Sequence, residues 1–388
     1  MRNAARRAAT RPAAALGAAA LTLGLVAPLA GAAEPGSHFS QRPLACAQAN
    51  GRVDDIAVQG STVYLGGSFT SVTAPDGTTL TRLGAAAIDS RTCAVLPWNP
   101  SVGGEVMALA VGGTRVYLGG KFSTVGGQRR HSLASVDAVT AAPTAFAPQV
   151  AGKVEELAVS STTLYAAGGI RYVGGLTRGK GAAFSVATGA LLAWDPQADK
   201  RIDAMSLAPD GSRVYLGGVF TMLHGDTSAR HLAAVDPVSA AVVAGFRASV
   251  RPPATEIRAV GSQVAVGFAG GGGTIAVLDT SGRAQLEAQT DGNFQSVALV
   301  GDEVVGGGHF GNFCPTGKSR CSTDGVTRHK ALSLVVSTGG LTGFNPDFDS
   351  TFGVWALAYD PGTGRLFAGG DFTRAGSTTV NHLAAFGP

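Results

Sequence analysis

Charge is scarce in this sequence: Asp, Glu, Lys and Arg make up 14% of its 388 residues, and the 30 basic residues nearly balance the 26 acidic ones. Arg2, Arg6, Arg7 and Arg11 lie in the first 32 residues, which hold no acid, so the remaining chain carries 26 charges of each sign. A body without net charge argues against nucleic acid or a membrane surface as the partner of the whole molecule, although charge can still be segregated onto one face. Beyond Leu29 there is no apolar run of the roughly 18 residues that a membrane-crossing helix needs. HExxH, Walker and Ser/His/Asp motifs are missing, as is a sialidase-type Asp repeat. With no CxxC and no histidine at ligand spacing, neither a metal nor a cofactor is expected.

What is present begins with an export signal. The arginines form a basic n-region, an Ala/Leu-rich stretch follows from Ala13 to Leu29, and Ala30-Gly31-Ala32 fits a cleavage site. This predicts a leader over residues 1–32, a linker over 33–41 and a folded body over 42–388 that is secreted and not inserted in a membrane after cleavage. Arg6-Arg7 raises the twin-arginine route, but alanines follow the pair, which favours general secretion. The four cysteines fit disulfides in an oxidising compartment. Cys314 and Cys321 are an easy pair within one loop. Cys46 and Cys93 are then partners by elimination, although alignment places them towards opposite ends of their strands.

The pattern apolar-Tyr-apolar-Gly-Gly-x-Phe starts at Val63, Val116, Val214 and, slightly altered, Leu366, with degenerate copies at Leu164, Val264 and Val304. The 356 residues after the leader divide by seven into units of about 51. Each unit carries short apolar runs bounded by turn residues, as in VMALAV from Val106 and RVYLGGKF from Arg115, and no helical periodicity competes. Four short strands per unit of this size make a propeller blade, so the expected fold is an all-β, seven-bladed β-propeller of four-stranded blades. The last unit stops at its third strand, and RPLACAQAN from Arg42 has the spacing to supply its outer strand and close the ring. Closure removes exposed strand edges. The Gly-Gly pairs fall at strand ends, where a bulge or close approach needs them. Trp98, Phe146, Trp194, Phe246 and Phe344 read most simply as packing between blades, with sugar stacking by the tryptophans as the alternative.

The succession VxALAV, VYLGGxFTxVGG, xLAAVD and W-[DN]-P resembles the delta-60 type propeller repeat of secreted bacterial proteins over essentially the whole mature chain. That resemblance implies fold and compartment, with no common activity. AIDSRTCAVLPW from Ala87 and AFSVATGALLAW from Ala183 are similar to quinoprotein-like propeller repeats, but Trp occurs in two units only and the usual count there is eight, so a quinone is not implied.

Ligands of propellers usually bind where the second-to-third-strand loops open around the channel. Those loops hold Arg129, Arg130 and His131; Arg178 and Lys180; Arg230 and His231; Arg328, His329 and Lys330; and Arg374 and His382. This predicts a basic outer ring suited to an anionic glycan or cell-wall polymer. His131, His231, His329 and His382 align with one another, and a recurring residue also reads as scaffold. The disulfide-bearing loop from Phe310 to Arg328 breaks the symmetry, and Lys318, Arg320, Phe310 and Phe313 are its candidate contacts. Nearer the axis, Asp54, Asp55, Glu155, Glu156 and Asp203 begin inner strands. They read either as wetting charges or as Ca²⁺ ligands or the acid and base of a glycoside hydrolase or polysaccharide lyase. Met107, Arg258, Gln295 and Trp355 occupy comparable places. The expected function is a secreted, monomeric, non-catalytic binding or scaffold protein for an extracellular glycan or protein, with that enzyme as alternative.

Overall fold

The structure is a computed structural model describing residues 36–249, 251–270, 272–315, 321 and 325–388. The expected leader therefore lies outside the described residues, as do Lys318 and Arg320. Among the described residues the chain forms ten antiparallel sheets, and the seven that hold an inner strand of the repeat are here called blades 1 to 7. Their inner strands are Val53–Gln59, Val102–Gly112, Val154–Val159, Ile202–Leu207, Ala254–Val260, Asn293–Val300 and Val354–Asp360. Each inner strand packs against the next, and that of blade 7 packs against that of blade 1. Apolar alternation on the strands drives this stacking: seven buried clusters form, such as the one in which Val53, Ile56 and Leu65 of blade 1 meet Ala356, Phe367 and Leu383 of blade 7. No helix among the described residues is long and apolar enough to cross a membrane.

The chain ends meet in blade 7. The amide of Leu44 donates to Ala385 O at 2.7 Å, that of Ser40 to Gly387 O at 2.8 Å, and that of Ala49 to Asn381 O at 3.0 Å. Residues 37–40, expected as linker, are seated on the fold: Phe39 is buried edge-on to Phe344 and Tyr359. Ser37 Oγ donates to Glu303 Oε1 at 2.6 Å, and the amide of His38 donates to Oε2 at 2.8 Å. A disulfide joins Cys46 to Cys93, with Cα atoms 4.7 Å apart, and a second joins Cys314 to Cys321. The apparent mismatch of Cys46 and Cys93 disappears because Cys93 sits in the turn after the third strand of blade 1, at φ 57°.

The expected four-stranded blade is realised in full in blade 5, whose outer strand is Ala284–Thr290. In blades 1 to 4 and 6 the fourth strand shrinks to a single bridge, such as Ile88 with Val95 or Phe184 with Leu191. Pro97 and Pro143 lie beside or at the bridges of blades 1 and 2 and supply no donor to the ladder. Trp98 and Trp194 stand edge-on to Tyr64 and Tyr165, each pair 5.1 Å apart, and donate to Asp137 O and Asp236 O of the following blade. Both indoles are buried, so they bolt blades together and offer no face to a sugar.

Candidate functional site at the channel mouth

All seven inner strands carry the same irregularity at their start. The register slips at residue 54, 107, 155, 203, 255, 295 and 355, in each case opposite the Gly-Gly position of the second strand. Close approach explains the glycines: a Cβ on Gly67 or Gly120 would lie 2.1 Å from the carbonyl oxygen of Arg52 or Glu105. The bulge places two consecutive residues of each blade in register around the axis. The first ring is Asp54, Met107, Glu155, Asp203, Thr255, Gln295 and Trp355; the second is Asp55, Ala108, Glu156, Ala204, Glu256, Ser296 and Ala356. Arg258 lies two residues further along blade 5, so Thr255, not Arg258, is the counterpart of Met107, Gln295 and Trp355.

These rings enclose a cavity of about 300 Å³, lined by six carboxylates and the guanidiniums of Arg52, Arg201 and Arg258. All five acids singled out in the sequence are brought together there, and Glu256 joins them. Its signal was the alignment of ATEIRAV from Ala254 with VDDIAV from Val53 and VEELAV from Val154. Arg52 and Arg201 were missed as well, each two residues before an acid of its own strand.

In the outer ring the charges are paired. Arg52 contacts Asp54, reaches Glu105 of blade 2 at 2.6 Å, and places its guanidinium 4.7 Å from the centre of the Trp355 ring. Arg201 pairs with Asp203 and lies 3.6 Å from Glu155, which Lys153 meets at 3.0 Å. Burial nevertheless pushes Asp54 up to about 7, outweighing Arg52, and it raises Asp203 too.

The inner ring is less balanced. Asp55 accepts from the amides of Leu109, in blade 2, at 2.6 Å and Ile56 at 2.7 Å, which makes it a latch between neighbouring inner strands. Arg258 Nη2 stands 3.1 Å from Glu256 and 4.0 Å from Asp55, which bounds the separation of those two carboxylates at about 7 Å. Glu156, 9% exposed, makes no hydrogen bond to another side chain and no ion pair within 4.0 Å among the described residues. Burial and the neighbouring Glu256 push its carboxyl well above the usual range. Burial also raises Asp55, and pushes Glu256 up to about 7, while Glu256 holds the Arg258 guanidinium protonated. No group of three or more His, Cys, Asp or Glu among the described residues gathers closely enough to hold a metal ion.

The predicted basic ring is largely a different object. Arg130, Arg178 and Arg328 each bond the preceding carbonyl and one fourteen residues on, that of Thr144, Leu192 or Thr342. Arg82 of blade 1 does the same with Leu96. These four arginines tie the loop to the chain's return path, a structural role that was not expected for Arg130, Arg178 and Arg328. Arg129 donates to His131 Nε2 at 2.8 Å, and Arg230 is exposed.

The four histidines do not share a position. His231 and His382 occupy a left-handed site with φ 64° and 61° whose carbonyl accepts from Gly218 or Gly370; Ser132, Lys180 and Lys330 fill it in blades 2, 3 and 6. His131 and His329 lie one residue earlier, and His329 pairs with Asp347. Phe310 and Phe313 are 2% and 7% exposed. Phe310 is the aromatic of its blade's own repeat and stacks on Phe294, and Phe313 belongs to the same buried cluster, so neither ring faces a ligand.

The chain is similar in structure to the WD40 β-propeller domain of Doa1, with TM-score 0.56 and 11% identity over 89% of this chain and 95% of that one. It is also similar to the computationally designed Ika8 protein, with TM-score 0.53 and 12% identity over 88% of this chain and 98% of that one. No family model matches the chain, and no curated protein matches it. At such identities the likeness carries the fold alone: this is a β-propeller.

Proposed function

We propose that the protein is a secreted, non-catalytic binding propeller that engages an extracellular partner on the face bearing the channel mouth. The export signal and the two disulfides support the compartment, and the repeat supports kinship with delta-60 type propellers. One observation carries the binding reading: acids, arginines and Trp355 from separate blades converge on one cavity. Most of these acids are already fixed by guanidinium or amide partners, as befits a preorganised recognition surface. The hydrolase or lyase alternative needs room for a sugar between its acid and its base. Between Asp55 and Glu256 that space belongs to Arg258.

An excess of carboxylate around the mouth disfavours an anionic glycan there and favours a protein partner. The test is retention of the purified mature chain on immobilised extracellular proteins and cell-wall glycans, comparing the parent with Trp355→Ala, together with an assay for released reducing ends. Binding that Trp355→Ala weakens, without sugar release, supports the reading. Sugar release abolished by Glu256→Gln would replace it with the enzyme. Retention on anionic glycans that is lost on Arg129→Ala/Arg230→Ala but indifferent to Trp355 would move the site to the outer loops.

A further inference from the structure

The lining of the mouth does not close electrically: six carboxylates face three guanidiniums. Arg52 serves Asp54, Arg201 serves Asp203 and Glu155, and Arg258 serves Glu256 and Asp55. Glu156 is left over. Its side chain is nine-tenths buried, and the groups that face it are Glu256 and Asp55, which repel its charge, and Arg258 and the Leu157 amide, which relieve it only in part. Asp54 Oδ2, in a side chain 6% exposed, is buried without a hydrogen-bond partner among the described residues. Glu156 has no side-chain hydrogen bond among those residues, and its surroundings favour the neutral acid; a cation entering the cavity would offset the cost of ionising it.

The shape of the lining discriminates among cations. The acids are not gathered at metal-ligand spacing. Met107 and Trp355, on either side of Asp54, give the outer ring apolar surface that an alkyl stem can lie against beside the Arg52 guanidinium. The indole Nε1 of Trp355 is buried without an acceptor among the described residues, which calls for a carbonyl. A lysine residue within a chain carries all three features: an ammonium, a four-carbon stem and a peptide carbonyl. A free polyamine lacks the last.

We propose that the channel mouth binds an alkylammonium group through Glu156, Glu256 and Asp55, and that its source is a lysine side chain of a partner protein. This rests on the binding reading above and names the chemistry the mouth selects. Arg258 is the resident partial counter-charge that keeps the empty ring folded, and Glu156 is the position the ligand completes.

The experiment titrates the mature chain with Nα-acetyl-lysine amide, its Nε-acetylated form, pentylammonium and calcium chloride, read by calorimetry and by fluorescence in a Trp98→Phe/Trp194→Phe background, where Trp355 is the remaining tryptophan. Nα-acetyl-lysine amide is expected to bind, and acetylation of Nε or the change Glu156→Gln to weaken it at least about ten-fold. Burial already favours the neutral acid at Glu156, and Glu156→Gln puts a neutral group of the same shape there, so it is expected to leave the melting temperature unchanged or higher, which separates lost binding from lost fold. Trp355→Phe is expected to weaken the lysine amide but not pentylammonium. Equal affinity of the Nε-acetylated form, or of Glu156→Gln, overturns the proposal. So does calcium displacing the amine at lower concentration. Indifference of the lysine amide to Trp355→Phe overturns the protein source and leaves a free amine. If no amine binds while a retained partner is still lost with Trp355→Ala, the cation assignment fails alone and the binding face stands.

Discussion

Arg82, Arg130, Arg178 and Arg328 recur at one position of the outer loops, and each gives its guanidinium to a carbonyl fourteen residues on. The acids of the inner ring, by contrast, appear in blades 1, 3 and 5 only, opposite Ala108, Ala204, Ser296 and Ala356 in the others. Both sets looked like surface charge in the sequence. The same bond in four of the seven blades marks the first as scaffold, because a contact repeated at one position of the repeat serves the repeat. Asymmetry marks the second as the place where this propeller differs from a generic ring. On the reading proposed above, the charge that selects a partner sits near the axis, while Arg82, Arg130, Arg178 and Arg328 tie the outer loops to the chain's return path.

The largest expected effect breaks the scaffold side of that contrast at its seam. Residues 37–46 supply the edge hydrogen bonds of blade 7, the Phe39 contacts and one half of a disulfide. Deleting 37–46 is expected to abolish cooperative thermal unfolding and to expose an aggregation-prone strand edge. Cys46→Ser/Cys93→Ser keeps the strand and is expected to cost about 2–5 kcal/mol in denaturant unfolding. A double serine variant with the parent's midpoint would show that the noncovalent clasp suffices.

Next in size is a direct test of which loop cations are structural. Arg178→Ala leaves the carbonyls of Thr177 and Leu192 without their donor and is expected to cost about 1–3 kcal/mol. Arg230→Ala, on the exposed loop of blade 4, is expected to stay within about 0.5 kcal/mol of the parent. Equal losses in chemical denaturation would remove the distinction between the two kinds of loop charge.

The fold was legible because its signal is repeated. Seven Gly-Gly-type segments, a spacing near 51 and a last unit lacking its outer strand define the ring without any long-range information. The site was legible in part. Asp54, Asp55, Glu155, Glu156 and Asp203 stand out as acids at strand starts, whereas Glu256 is hidden by the divergent blade 5, in which Phe268 replaces a glycine. The bulge could not be read from spacing, and Arg258 was set against Met107 although Thr255, three residues earlier, is its counterpart. The carbonyl contacts of the loop arginines were not legible for a different reason: a guanidinium that bonds a carbonyl fourteen residues away and one that waits for a ligand look the same until the return path of the chain is known. Phe310 was lost between two descriptions, as motif aromatic and as loop residue, and burial decides for the first.

The smallest expected effect sharpens the inner-ring side of the comparison, through pH. Glu256 rises from 4.5 to about 7, and Asp54 from 3.8 to about 7, both chiefly by burial. Glu256 is faced by Arg258 and Asp55, Asp54 by Arg52, Glu105 and Asp55. Across that window the folded chain keeps protons that the unfolded chain has released, so stability is full below the unfolded values and falls as pH rises through about 7. Turn carboxylates act in the opposite sense: hydrogen bonds hold Asp89, Asp137 and Asp236 below their ordinary value, so their contribution is present above 3.8 and lost on further acidification. The melting temperature of the unliganded protein is therefore expected to peak in mildly acidic buffer and to decline by a few degrees towards pH 8. Glu256→Gln should flatten the alkaline decline, and Asp137→Asn should lower the melting temperature most on the alkaline side of 3.8. An alkylammonium ligand remains charged at pH 8 and meets an ionised ring there, so its stabilising shift is expected to be larger at pH 8 than at pH 5. A shift independent of pH in that range would mean that the ligand does not sit among Asp55, Glu156 and Glu256.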